Sequence, residues 1–121
     1  MKSHKDLQVW QKAITLASSV YGITGDLPRE ETYALSDQMK RSAISIASNI
    51  AEGAARRTNK EFLQFLYIAL GSASELDTQI EICKSLSFQN VHAARLEVVQ
   101  ADIDTISRMI QGLIANVKQK G

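Results

Sequence analysis

Five basic residues near the middle of the chain could hold phosphate groups: Lys40, Arg41, Arg56, Arg57 and Lys60. The stretch from Gln38 to Lys60 contains one acid, Glu52, so its net charge is +4. Clustered lysines and arginines bind the phosphates of RNA or DNA. The alternative is a set of solvated helix ends or salt bridges between subunits, because basic residues also favour the negative end of a helix.

These basic residues divide into two groups along a predicted helix. Arg41 and Arg56 are fifteen residues apart in the sequence. At ~1.5 Å per helical residue, this separation is roughly 22 Å. One copy of the chain is therefore expected to present two small basic patches rather than one continuous stripe.

No arrangement of residues matches a catalytic or metal-binding pattern. Helical di-iron sites use Glu-x-x-His, and neither His4 nor His92 has a glutamate three residues before it. The one cysteine, Cys83, follows the apolar spacing of its helix, which indicates a buried thiol rather than a nucleophile. There is no glycine-rich phosphate loop either. We therefore predict a protein that is not an enzyme and that needs no metal and no cofactor.

The elements that position these residues are amphipathic helices. The helix that carries the first basic group has apolar or small residues at steps of three and four, namely Leu35, Met39, Ser42, Ile46, Asn49 and Ile50. The small residues between them let another backbone approach closely, within one copy or across a subunit boundary. Asn49 lies on this face, either as a functional amide or as a core residue that hydrogen-bonds to backbone or to a partner.

The ends of this helix are marked by turn-forming and capping residues. It begins either at Pro28 or, after a short turn, at Ser36; the sequence fits both. Gly53 is expected to end it in a left-handed conformation. Thr58 and Glu61 then form a predicted capping box that starts the next helix.

Three further helices follow from the same periodicity. The first runs to about Gly22, with an apolar stripe that consists of Leu7, Trp10, Ile14, Ala17 and Tyr21. The third runs from Asn59 to about Leu86, and the fourth from the turn at Asn90 to about Lys118. Short connections favour antiparallel neighbours. We predict an all-α fold, an antiparallel up-down-up-down four-helix bundle in which residues 1–121 form one domain.

Composition agrees with a globular domain in a reducing compartment. The net charge is +1 and the sequence pI is near 7.9. The start of the chain has no apolar segment of the secretory kind, and the longest apolar run, 65–70, is too short for a bilayer. We expect a cytoplasmic protein with no membrane contact. Tyr33 and Tyr67 are the aromatic residues expected to point outward, where they could serve a subunit contact.

Three stretches of the sequence resemble a known family: Asp6 to Ala13, Gln38 to Gly53 and Lys60 to Gln79. The second contains the run Ser-Asn-Ile-Ala-Glu-Gly at its end. They resemble the bacterial four-helix bundle proteins encoded in intervening sequences of large-subunit ribosomal RNA genes, also labelled S23-type ribosomal proteins. The resemblance covers nearly the whole chain.

The resemblance implies a ring-like homo-oligomer of five copies. A related protein, the accessory protein of diversity-generating retroelements, forms a basic five-membered barrel that contacts nucleic acid and a reverse transcriptase. Arg41, Arg56, Arg57 and Lys60 lie where such a surface would form. On the assembly side, the candidate residues are Asn49, Glu52, Gly53, Tyr33 and Tyr67.

Two hypotheses for the function follow. The first is a non-enzymatic assembly module that self-associates and contacts RNA or DNA backbone through its basic helix corners. The second is a protein adaptor without a nucleic-acid role, whose protein partner lies on the face formed by Ser45, Ser48 and Glu52. Nuclease treatment separates the two, because only the first depends on nucleic acid.

Overall fold

The computed structural model describes residues 3–120, which form four long helices. They are α1 (Gln8–Gly25), α2 (Asp37–Ala54), α3 (Asn59–Leu86) and α4 (Ala93–Lys120). A 3₁₀ turn, His4–Asp6, precedes α1 and is capped by Ser3. No strand occurs within residues 3–120. The predicted all-α fold is confirmed.

Side-chain contacts between helices show that neighbours run antiparallel. Ser45 and Ser72 join the middle of α2 to the middle of α3. Lys84, near the end of α3, bonds to Gln100 in the first half of α4. Asp26, which follows α1, pairs with Arg95 near the start of α4. The α1–α2, α2–α3, α3–α4 and α4–α1 contacts close the up-down-up-down bundle that the sequence predicted.

One apolar core runs along the bundle axis. Its largest completely buried side chains come from all four helices: Leu16, Val20, Ile23, Met39, Ile46, Ile50, Leu66, Leu76, Ile80, Leu96, Ile106 and Ile110. Each such residue contributes about 1.5–3 kcal/mol when it leaves water. The periodicity of α2 therefore identified the face of that helix that stabilises the fold.

The predicted stripe of α1 is wrong by about one residue. The buried face consists of Val9, Ala13, Leu16, Val20 and Ile23. Ile14 and Tyr21 from the predicted stripe are 43% and 50% exposed. Helix α1 has apolar residues on two adjacent stripes, and packing against α2 and α4 decides which one is buried.

The connection before α2 is built from irregular helical turns. A 3₁₀ turn, Arg29–Glu31, follows Pro28, and a π-helical turn, Thr32–Ser36, leads into α2. The regular helix thus starts at Asp37, close to the second of the two starts that the sequence allowed. These turns keep Leu35 in the core while they hold Tyr33 outside it, 91% exposed.

Gly53 does not end α2 in a left-handed conformation, as the sequence had suggested. No glycine within residues 3–120 has positive φ, and the residue after the helix, Ala55, is right-handed. Gly53 is buried instead, and a β carbon there would lie 2.7 Å from Cβ of Phe65. Its role is to let α2 and α3 approach closely where they meet.

The start of α3 is capped by Thr58, whose hydroxyl accepts a hydrogen bond from the backbone amide of Glu61 at 3.2 Å. The structure shows no return bond from the Glu61 carboxylate to the Thr58 amide within residues 3–120. Only half of the predicted capping box is present. This single bond still satisfies one of the free amides at the helix start.

The end of α3 is the one place where a residue other than glycine adopts positive φ among residues 3–120. Ser87 has φ 52° and ψ 53°. We expect Ser87→Gly to raise the free energy of unfolding by about 0.5–1 kcal/mol, since glycine adopts this conformation without a steric penalty. Urea denaturation measures the change. Ser87→Ala is the matched control: it keeps the penalty and loses the bond to the Lys84 carbonyl, so it should not be stabilising.

Candidate functional site

The antiparallel arrangement gathers basic residues at one end of the bundle. The starts of α1 and α3 and the ends of α2 and α4 lie there. We define the basic end as residues 3–12, 50–68 and 109–120, which contain seven basic residues and three acids, a net charge of +4. Residues 13–49 and 69–108 contain six basic residues and ten acids, a net charge of −4. The basic side chains of this end are Lys5, Lys12, Arg56, Arg57, Lys60, Lys118 and Lys120.

Arg56 is held against the bundle at this end. Its Nη2 atom lies 2.9 Å from Oε1 of Glu52, and its guanidinium carbon lies 4.8 Å from the ring centroid of Phe65. Both contacts fix the direction of the side chain, which remains 42% exposed. Glu52, one of the assembly candidates, therefore acts within the chain as the partner of Arg56.

Arg57 and Lys60 flank the capped start of α3 and are exposed. Neither forms an ion pair within the part of the chain that the structure describes. The positive end of the α3 dipole adds to their charge. Free cations beside a helix N-terminus form a favourable place for a phosphate group.

The end of α4 adds two lysines that sequence reasoning did not assign to this site. The Lys118 ammonium lies 5.7 Å from the ring centroid of Tyr67, which is 47% exposed. Lys120 follows one half-turn later. Lys5 belongs to the N-terminal 3₁₀ turn, which contacts α2. The predicted antiparallel topology, applied to the two chain termini, would have placed all three at the same end of the bundle as Arg56.

Lys40 and Arg41 do not join the basic end. They lie in the first half of α2, near the opposite end of the bundle. The Lys40 ammonium lies 5.3 Å from the ring centroid of Tyr21, and Arg41 pairs with Asp37 at 3.0 Å. The five basic residues thus form two separated groups, as predicted, and only the group at Arg56 is extended by other helices.

Polar residues between α2 and α3 form hydrogen bonds inside the chain. The Asn49 amide donates to the Ser45 carbonyl at 2.8 Å and to the Ser45 hydroxyl at 2.9 Å. The Ser45 and Ser72 hydroxyls are 2.7 Å apart, and the Ser42 hydroxyl donates to Glu75 at 3.2 Å. Asn49 is thus a half-buried amide bonded to the backbone of its own helix, as one of its two predicted alternatives describes, and its role in assembly stays a prediction.

The two side chains that could take part in catalysis, His4 and Cys83, are packed against other residues of the chain. His4 packs edge-on against Trp10, with ring centroids 5.1 Å apart. Cys83 is buried, and burial raises the pKa of its thiol, so that the nucleophilic thiolate is disfavoured. No three histidine, cysteine, aspartate or glutamate side chains within residues 3–120 are placed to hold a metal ion.

Comparison with known families matches residues 5–112 to the model of the 23S rRNA-intervening sequence protein. The chain belongs to this family. A solved structure supports the fold. It is a protein of unknown function from the S23 ribosomal protein family of Bacteroides thetaiotaomicron VPI-5482, with a TM-score of 0.79 at 24% identity. The similarity covers 88% of this chain and 97% of that one.

Neither a curated relative nor, among the described residues, a membrane-spanning helix was found for this chain. No curated protein matches its sequence. Within residues 3–120, none of the helices has an apolar stretch long enough to cross a bilayer.

Proposed function

We propose that the protein is a non-enzymatic module that self-associates and contacts the backbone of RNA or DNA through its basic end. One observation supports the nucleic-acid part: one end of the bundle, with a net charge of +4, receives cations from α1, α3, α4 and the turn after α2. The rest of the described chain is acidic, so the positive potential is confined to this end. A confined positive surface attracts a polyanion over distances of about 10 Å at moderate salt.

The exposed cations at the basic end suit phosphates rather than bases. Arg57 and Lys60 are exposed charges without an ion-pair partner within residues 3–120. Contacts of this kind position a protein on nucleic acid without reading its sequence. We therefore expect binding that is independent of sequence and steeply dependent on salt.

Self-association would strengthen the weak binding that one basic end can provide. A single copy meets few phosphates, whereas several copies bring several basic ends to one strand. The family resemblance implies five copies in a ring. Light scattering of nuclease-treated protein tests the assembly part, because one copy has a mass of 13.4 kDa. A mass of one copy at all concentrations would remove self-association from the proposal.

Nucleic-acid binding is tested by fluorescence anisotropy with a labelled single strand at several salt concentrations. We expect Arg57→Ala/Lys60→Ala to weaken binding by roughly tenfold at low salt. The slope of the logarithmic affinity against logarithmic salt should become shallower by about 1.4, since each lost phosphate contact on a single strand contributes about 0.7. Both residues are exposed, so the fold should be retained.

The matched control is Arg29→Ala/Arg108→Ala, which removes the same charge from exposed positions outside the basic end. This variant should bind with the slope of the unmodified protein. Equal losses of affinity in the two double variants would mean that binding depends only on the total charge of the protein. No binding of the unmodified protein at low salt would exclude the nucleic-acid part.

The face on which the adaptor hypothesis placed the protein partner has few free side chains. Ser45 is half-buried between Asn49 and Ser72, and Glu52 is paired with Arg56. Among residues 3–120, Ser48 alone of the three proposed contact residues is exposed and without a hydrogen bond inside the chain. We therefore do not adopt that face as a docking site.

A further inference from the structure

One exposed tyrosine lies among the cations of the basic end. Tyr67 is in the third turn of α3, and its side chain is 47% exposed. The Lys118 ammonium of α4 lies over the ring, 5.7 Å from its centroid. Lys118 is itself exposed, so this face of the ring is directed towards the surface and away from the core. The ring is therefore accessible to a molecule that displaces one lysine side chain.

A glycine one turn further along α3 leaves the ring uncovered. Helical side chains lean towards the start of their helix, so a side chain at position 71 would lie over Tyr67. Gly71 has none, and nothing lies within 4 Å of a β carbon built there. Ile68 is 51% exposed and extends the apolar surface beside the ring. We call Tyr67, Ile68 and Gly71 the tyrosine patch.

Free cations flank the tyrosine patch on two sides. Lys60 lies seven residues before Tyr67, which is two helical turns, so the two residues share a face of α3 about 10 Å apart along its axis. Lys118 lies on the α4 side, and Lys120 follows it. None of these three lysines forms an ion pair within residues 3–120. Proteins bind single strands with this combination, because a ring stacks on a base while cations meet the phosphates beside it.

We propose that the tyrosine patch holds a base of a single-stranded nucleic acid. The base stacks on the Tyr67 ring in place of the Lys118 ammonium, which then pairs with a neighbouring phosphate. Bases inside a duplex are stacked on one another and offer no free face, so the patch selects single strands. Every base has such a face, so the sequence is not read. The inference rests on the proposed contact with nucleic acid and adds the class of strand.

A second tyrosine of the same kind lies in different surroundings. Tyr21 is 50% exposed, and the Lys40 ammonium lies 5.3 Å from its ring centroid. An exposed tyrosine beneath a lysine is thus not in itself a nucleic-acid site. Tyr21 belongs to the part of the chain with a net charge of −4, which repels a polyanion, whereas Tyr67 belongs to the basic end. Tyr21 is therefore the matched control for Tyr67.

Fluorescence anisotropy with three labelled ligands of equal length tests the stack: a strand of thymidine nucleotides, the same strand without bases, and a duplex. We expect Tyr67→Leu to weaken binding of the thymidine strand about tenfold, the effect of losing one base–aromatic stack. Its affinity for the other two ligands should be unchanged. The salt slope should also be unchanged, because no charge is removed. Tyr67→Phe keeps the ring and should bind like the unmodified protein, and Tyr21→Leu should too.

Gly71→Leu tests the tyrosine patch without altering the ring. A leucine four residues after a tyrosine packs against it on a helix, so it should cover the ring. We expect the thymidine strand to bind about as weakly as it does to Tyr67→Leu, with the duplex unaffected. Leucine has a higher helix propensity than glycine, so α3 should be retained, as circular dichroism verifies. The double variant should bind no more weakly than either single variant, since both remove the same stack.

A relocated tryptophan reports the stack directly. Trp10 is the one tryptophan of the chain, so Tyr67→Trp/Trp10→Phe moves the indole into the tyrosine patch. A stacked base quenches indole fluorescence. The thymidine strand should therefore lower the emission, and the strand without bases should not. Tyr21→Trp/Trp10→Phe is the control, and its emission should respond to neither strand.

The possible failures separate the stack from the proposed function. No binding of the unmodified protein to any of the three ligands at low salt excludes both. Equal affinity of the unmodified protein for the strands with and without bases overturns the stack and leaves the backbone contact intact. Binding of the thymidine strand that Tyr67→Leu does not change has the same meaning. A lower mass of Tyr67→Leu in light scattering, with equal losses on all three ligands, overturns the stack by assigning the ring to a subunit contact.

Discussion

Gly53→Val is expected to lower the free energy of unfolding by about 3 kcal/mol. A β carbon at this position would lie 2.7 Å from Cβ of Phe65 and 2.9 Å from Cδ1 of Phe62. The Phe62 carbonyl oxygen lies 3.3 Å away. Backbone and β-carbon atoms cannot rotate aside, so α2 and α3 must move apart where they meet. Urea denaturation at a fixed protein concentration measures the loss.

Gly71→Ala and Gly112→Ala are the matched controls for this prediction. Both glycines lie inside helices, and nothing lies within 4 Å of a β carbon built on either. Each substitution should raise the free energy of unfolding by about 0.5–1 kcal/mol, because alanine has a higher helix propensity than glycine. Gly53→Ala should be destabilising despite the same intrinsic gain. A stabilising Gly53→Ala would show that the helices can separate without loss.

The second large effect is expected in the middle of α3. Leu76→Ala should lower the free energy of unfolding by about 2–5 kcal/mol, because Leu76 is completely buried and the truncation leaves a cavity. The two residues that flank Leu76 in the sequence face the two adjacent helices. Glu75 accepts a hydrogen bond from Ser42 of α2, and Asp77 accepts one from Gln100 of α4. These contacts limit how far α3 can move to fill the cavity.

Val98→Ala serves as the control for the cavity. Val98 is 63% exposed on α4, so the same kind of truncation should change the free energy of unfolding by at most about 0.5 kcal/mol. The slope of free energy against urea should be unchanged in both variants, which keeps the two-state comparison valid. Similar losses at the two positions would contradict the assignment of Leu76 to the core.

Hydrophobic periodicity predicted the four helices and the bundle because buried apolar residues recur at steps of three and four in every helix. It failed on α1, where Ile14 and Tyr21 extend the apolar surface beyond the face that packs. It also misjudged Gly53, because glycine near a helix end fits both a left-handed cap and a close helix contact. Only the position of α3 distinguishes these two uses.

The sequence predicted the part of the candidate site whose residues are close together in the chain. Arg56, Arg57 and Lys60 are close in the chain, so their grouping was visible. Lys5 and Lys118 are more than a hundred residues apart, and they share an end only because α1 and α4 run antiparallel. The irregular turn before α2 was missed for a different reason. The residues of the turn Thr32–Ser36 fit an ordinary helix, and nothing in their types signals a π-helical turn.

The uneven distribution of charge along the bundle affects how the molecule orients in an electric field. An elongated molecule with opposite charges towards its two ends has a permanent electric dipole moment along its length. If the proposed contact with nucleic acid forms, this moment would turn the molecule before contact, with the basic end towards the strand and the long axis pointing away from it. Molecules that stand upright occupy little length of the polymer each, and many can line up side by side along it.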